Sequence, residues 1–337
     1  MIPAGCRNAF TLIRWFFAVS VVFFHGCVVA GRPYFWFVDP HSAISAFFVM
    51  SGMLTYAGYL RRPGAWTFYA RRARRIGIPY ATVILLAAVT GIFLSTLGVK
   101  AYLSDAGTAK YLAANLTFLN FLSPELPGVF ASNNVTAVNA SLWTMKVEVA
   151  FYLLLPIIAA FVRRCRPAHA IAVMYLLSVA WNLIFLYLQQ STGNVAYDIL
   201  RRQIFGQMMY FAAGMAAAHM YTHIMRKKYT YLAAGAALWL ICGRFTALRP
   251  IEPVAIAATL TVLAYGNTRL ADLSAKVPNL TYEVFLLHFP VFQTLAAIGF
   301  FTAAGFLPAL AAGTGITLLL SVALHRATNF LIQKTER

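Results

Sequence analysis

The chain has 337 residues, 61% hydrophobic and 11% charged, with a mean hydropathy of +0.71. A soluble domain carries about 25% charged residues, so this composition excludes an ordinary globular domain and points to a polytopic membrane protein. The net charge of +18 would suggest nucleic acid in a soluble protein. Here most cations lie between apolar runs, so they read as topology signals and lipid-surface contacts, with no nucleic-acid partner expected.

In chain order, apolar runs long enough to cross predict helices near 10–30, 40–60, 79–98, 142–162, 168–190, 204–222, 230–248, 251–266, 280–301 and 307–332. These make an all-α bundle of about ten membrane-spanning helices, a single integral domain over 1–337 with no added soluble domain. The run 230–248 carries Arg244, and 251–266 is short for a hydrocarbon core of about 30 Å, so the two also read as one re-entrant hairpin. The first run is long and is followed by others, unlike a cleaved signal.

Cation counting sets the orientation. With the N-terminus in the cytoplasm, the inner side holds Arg7, Arg61, Arg62, Arg71, Arg72, Arg74, Arg75, Arg163, Arg164, Arg166, Arg226, Lys227, Lys228, Arg269, Lys276, Lys334 and Arg337. The outer side holds Arg32, Lys100, Lys110, Arg201, Arg202, Arg244 and Arg249, and an even number of spans puts both termini inside.

The first run contains Arg14 and His25. A charge at membrane depth costs at least ~2.5–3.5 kcal/mol, so such residues read as functional. Eleven residues of helix is about 1100°, three turns plus roughly 20°, which puts both side chains on one face about 16 Å apart. A snorkelling Arg14 and a histidine packed in a polar helix contact is the structural alternative. Ser51 and Gly52 in the second run permit close helix approach.

The inner loop 61–78 interleaves six arginines with Trp66, Phe68 and Tyr69. Guanidinium forks match phosphate, and the rings offer stacking surfaces, which suits a phosphorylated nucleotide carrier. The alternative is an anchor on anionic lipid. The outer loop 99–141 is the only long one, and long loops are commonly functional. Its Asn-X-Ser/Thr triplets at Asn115, Asn134 and Asn139 are read as chance.

Glu148 lies about two turns into the fourth run, at a depth comparable with His25. A carboxylate beside an imidazole raises its basicity and fixes its tautomer; a structural hydrogen bond between helices is the other reading. His288 sits mid-run with Pro290 just after it, which loosens the helix and frees backbone groups. His219, His223, His325 and Arg326 lie near helix ends, and Asp39 and His41 at a helix start, where capping or interfacial roles suffice. The four cysteines have neither metal-ligand nor CxxC spacing, so no disulfide or metal site is expected. No GxSxG, HExxH, Walker A or GxGxxG signature is present.

Taken together these pieces resemble the acyltransferase-3 family of integral membrane acyltransferases, which includes bacterial O-acetylases of surface glycans. The resemblance runs nearly end to end, through Arg14 and His25, Phe47–Gly52, Phe68–Ile76 before Pro79-Tyr80, Ser141–Thr144 through Glu148 to Tyr152, and Tyr282–Pro290. It implies a ten-helix fold that uses cytoplasmic acyl-CoA, acetyl-CoA above all, to acylate a sugar or cell-surface glycan hydroxyl across a bacterial inner membrane. It also implies that His25 is the catalytic centre and that Arg14 and the arginine-rich segment attend the donor. The chain departs from the family pattern at Lys146, where a small polar residue is common, and at 325–330, which lacks a Glu-X-Pro-type element.

The resulting expectation is that Arg14, Arg71, Arg72, Arg74 and Arg75 hold acyl-CoA, His25 acts as base and Glu148 orients it. His288, or a backbone N–H near Pro290, stabilises the oxyanion. The acceptor is sought at 99–141. A proton-coupled exporter of a glycan or lipid intermediate, built on a His25–Glu148 pair, is the competing class.

Overall fold

The computed structural model describes residues 1–3, 5–36 and 38–334; Arg337, counted above among the inner cations, lies outside them. Among the described residues there is no strand. The main helices, in chain order, are α1 (Phe10–Val29), α2 (Pro40–Arg61), α3 (Ala65–Leu94), α4 (Ala106–Leu116), α5 (Trp143–Arg164), α6 (Pro167–Thr192), α7 (Ile204–His219), α8 (Lys228–Arg244), α9 (Glu252–Tyr265), α10 (Thr281–Ala297) and α11 (Phe306–Lys334).

All ten expected spans are helical, but among the described residues only six helices are long and apolar enough to cross a membrane: α1, α2, α3, α5, α6 and α11. The other four, α7, α8, α9 and α10, have 16, 17, 14 and 17 residues. At 1.5 Å per residue the longest of these reaches about 25 Å, short of a ~30 Å core.

Packing groups the residues into two units. The first comprises 1–17, 38–68 and 147–278. Its tightest contact is between α2 and α7, because two glycines face backbone. A Cβ on Gly52 would lie 2.2 Å from the Phe211 carbonyl oxygen, and one on Gly214 would lie 2.2 Å from that of Val49. This is the close approach expected of Ser51-Gly52. Since backbone cannot retreat as a flexible side chain can, Gly52→Ala should drive the helices apart and cost roughly 1–3 kcal/mol or more. A lowered thermal midpoint in detergent checks this; an unchanged one refutes the contact. Stacked Phe151 and Phe211, with centroids 4.4 Å apart, bring α5 into the same core.

The second unit comprises 18–37, 69–146 and 279–337. Here the structure corrects two sequence readings. The arginine-rich segment is no loop: helix begins at Ala65 and runs 30 residues to Leu94, about 45 Å. It passes through a π-helical turn at Ala73–Gly77. Pro79 explains the turn. In a regular α-helix its ring would press on the carbonyl of Arg75, four residues back, and widening the preceding turn relieves the clash.

Nor is 99–141 a simple outer loop. Tyr102 donates from its hydroxyl to the Ala88 carbonyl, 2.8 Å away. From there α4 descends beside α3 until Phe118 stacks on Tyr80, centroids 4.3 Å apart. The chain then returns along α10. Gln293, fully buried, donates to the carbonyls of Val135 and Ala137 at 2.6 and 2.7 Å and accepts from Asn133 at 2.8 Å. Asn139 donates to the Leu286 carbonyl at 2.8 Å. The segment thus lies along both helices, sharing a core of Tyr80, Tyr102, Tyr111, Phe130 and Leu286. The three triplet asparagines are spent on backbone: Asn115 on Tyr111 and Ser123, Asn134 on Val29, Asn139 on Leu286.

Candidate functional site

The second unit brings two histidines together from helices 263 residues apart. His25 Nδ1 on α1 lies 2.7 Å from His288 Nε2 on α10. Their rings are tilted by 30° with centroids 4.9 Å apart, and Phe289 meets His25 edge-on at 5.1 Å. His288 is fully buried, whereas His25 is partly exposed.

The hydrogen-bond chain fixes the tautomers. His288 Nδ1 lies 3.0 Å from the Val284 carbonyl oxygen. A carbonyl only accepts, so Nδ1 carries the proton. In the neutral ring Nε2 is then an acceptor, and His25 must donate to it from Nδ1–H. That leaves one ring nitrogen of the pair with an uncommitted lone pair, His25 Nε2. Of the two imidazoles, His25 is the one whose remaining nitrogen can accept a proton, and His288 fixes its tautomer.

The remaining expected site residues fall in both units. Arg71, Arg72, Arg74 and Arg75 share the second unit with the histidines, on α3 at and just before the π turn; Arg71 and Arg75 are exposed, Arg72 and Arg74 half-buried. This turn is tied to α10, since the Tyr282 hydroxyl donates to the Ile76 carbonyl at 3.0 Å. Arg14 and Glu148 belong to the first unit. Arg14 is half-buried on α1. Glu148 Oε1 accepts from the Ser51 hydroxyl at 2.7 Å and from the Tyr152 hydroxyl one turn on. The family departure at Lys146 has a local account: its ammonium sits 4.2 Å from the Phe121 ring centroid.

Two polar groups escaped sequence reasoning. In the first unit, buried Glu252 accepts from Ser42 at 3.0 Å and from Tyr210 at 3.4 Å, and lies 3.5 Å from His41 Nδ1. In the second, Glu283 meets His325 at 2.7 Å, and Asn329 Nδ2 lies 2.9 Å from the other ring nitrogen of His325. Acid-plus-histidine content was the available signal, but the partners are 42 residues apart or more. An open cleft of about 380 Å³ lies at the far end of α3 from the arginines, lined by Lys110, Ser123, Glu125, Thr136 and residues 126–129. Among the described residues no group of three or more His, Cys, Asp or Glu is placed to hold a metal ion, and Cys6, Cys27, Cys165 and Cys242 are unpaired.

No solved structure matches this chain. A curated relative, Nodulation protein 10 of Rhizobium leguminosarum bv. viciae, is 28% identical over 323 residues, covering 88% of this chain and 86% of its own. The acyltransferase-domain family model designated Acyl_transf_3 matches residues 7–326, a stretch that holds both histidines and the whole arginine run. On that match the protein is an integral-membrane-type, all-helical member of the acyltransferase 3 family.

Proposed function

We propose that this acyltransferase moves an acyl group, acetyl in the first instance, from cytoplasmic acyl-CoA to a hydroxyl of a sugar or cell-surface glycan on the far side of a bacterial inner membrane. In this reading the four shorter helices cross together with the residues that flank them, giving ten spans with both termini cytoplasmic. The observation that carries it is the uncommitted lone pair on His25 Nε2, set by the chain from Val284 through His288. The acceptor hydroxyl gives its proton to Nε2 as its oxygen attacks the thioester carbonyl. The tetrahedral intermediate then collapses, the C–S bond breaks, and the imidazolium returns the proton to the departing thiolate. No cofactor beyond the acyl-CoA co-substrate is needed, and no metal enters.

With both nitrogens of His288 already engaged, His288 has no N–H left for the oxyanion, and Pro290 frees only the Leu286 carbonyl, which Asn139 takes. Arg71, Arg72, Arg74 and Arg75 supply guanidinium groups for the donor's phosphates. The 380 Å³ cleft, hydroxyl-lined and bearing charges of both signs, suits a sugar acceptor in size and chemistry.

The test is thiol release from acetyl-CoA by the purified protein, together with mass spectrometry of the surface polysaccharide made with and without it. Thiol release and one added acyl group per acceptor unit are expected. A protein that transports a glycan would give neither. Arg71→Ala with Arg72→Ala should raise the KM for acetyl-CoA about tenfold or more while leaving kcat near wild type, since each charge-assisted contact contributes about 1.5–3 kcal/mol to binding. An unchanged donor dependence removes this segment from the site.

A further inference from the structure

Pro290 stands inside α10, two residues past His288. A proline has no N–H, so the carbonyl four residues back, that of Leu286, loses its helical partner, and the helix bends there. Leu286 is fully buried, where an unpaired carbonyl is costly. The Asn139 side-chain amide, itself buried, donates to this oxygen at 2.8 Å. That amide cannot be turned round, because its Oδ1 accepts from the Ser141 N–H at 3.2 Å and from the Ser141 hydroxyl at 2.6 Å. Five residues earlier in the same segment, Asn134 donates to the Val29 carbonyl at 3.0 Å. Val29 ends α1, and the helix itself cannot satisfy a carbonyl at that position. It lies four residues beyond His25, about 6 Å along the axis. Between the two asparagines, Gln293 holds the carbonyls of Val135 and Ala137 and so ties the segment to α10 beyond the proline.

We infer that Asn139 and Asn134 are positioning residues for the reaction: segment 133–139 clamps α10 on both sides of Pro290 and α1 just beyond His25, and so sets the 2.7 Å approach of the two imidazoles. This rests on the reading above in which His25 is the base. A proline joins two stiff helical halves through a softer joint. His288 is carried by the first half of α10 and Gln293 by the second. With Asn139 gone the joint can flex, and His288 Nε2 moves relative to His25 Nδ1. A misplacement of about 1 Å can cost about 10²-fold in rate, while the arginines of α3, which hold the donor in that reading, stay where they are.

The experiment measures kcat and KM for acetyl-CoA, together with the thermal midpoint, on the full-length protein in detergent. Asn139→Ala should lower kcat by about 10–100-fold, leave KM for the donor near wild type and lower the midpoint. Adding Pro290→Ala separates geometry from hydrogen bonding, because residue 290 then supplies the N–H that the Leu286 carbonyl lacks. The double variant should regain the midpoint and keep the low kcat. If turnover returns with the midpoint, Asn139 does no more than satisfy a carbonyl and the assignment is overturned; wild-type kcat in Asn139→Ala overturns it as well. Asn134→Ala, at an exposed residue, should lower kcat by a smaller factor at an unchanged midpoint. It carries the comparison if Asn139→Ala does not fold, and an unchanged kcat there overturns the assignment. Wild-type protein that releases no thiol from acetyl-CoA refutes the acyl-transfer reading itself.

Discussion

His25→Ala should reduce acetyl-CoA-dependent transfer by about 10²–10⁴-fold, the usual worth of a positioned general base. The protein should still insert and elute as wild type, because the ring is only partly buried and its loss frees His288 rather than exposing a charge. The pH profile gives a second readout with a definite sign. The base works only when Nε2 is unprotonated, so wild-type activity falls as pH is lowered through the imidazole ionisation. Residual activity of the variant should lack that acid limb. Near-wild-type transfer by His25→Ala, or an acid limb that survives the substitution, would refute the assignment of the base.

The second large effect concerns the other histidine. His288→Leu removes the acceptor that fixes the His25 tautomer, leaving Nδ1–H without a partner and the ring free to present either nitrogen. Leaving a buried donor without its acceptor costs about 1–3 kcal/mol, and we expect a loss of about 10–100-fold in kcat with little change in KM for the donor. His288→Gln separates orientation from packing. Its amide oxygen can take the place of Nε2 and accept from His25 Nδ1–H, so most of the activity should return. If both variants fall equally, His288 acts through packing alone. If His288→Leu loses more than His25→Ala, the roles of base and orienting partner are reversed.

Much of this site is legible in the sequence, and the reasons are physical. A histidine and an arginine inside an apolar run stand out because the membrane penalises them, and His288 next to Pro290 stands out in the same way. The arginine density before Pro79 is equally plain. What they pair with is not. His25 and His288 are separated by 263 residues, and nothing local to either names the other. Glu148 reads from sequence as the natural neighbour of an imidazole. In its own unit it accepts from Ser51 and Tyr152, and in the second unit His25 meets His288. Glu283 and His325 look like unremarkable helix-end residues until α10 and α11 are set side by side.

Hydropathy by itself determined the membrane class, the order of the helical segments and the location of the ionisable residues, because burying apolar length in lipid depends only on local composition. Tertiary structure decided the rest. Residues 99–141 lack an apolar run long enough to cross, and they are laid along α3 and α10, where Gln293, Asn133 and Asn139 satisfy carbonyls of the two segments. The arginine segment became helix because a π turn absorbs Pro79. Where the protons of the histidine pair sit was decided by one carbonyl, that of Val284, since a hydrogen bond to an acceptor-only atom dictates the donors and acceptors in the chain beyond it.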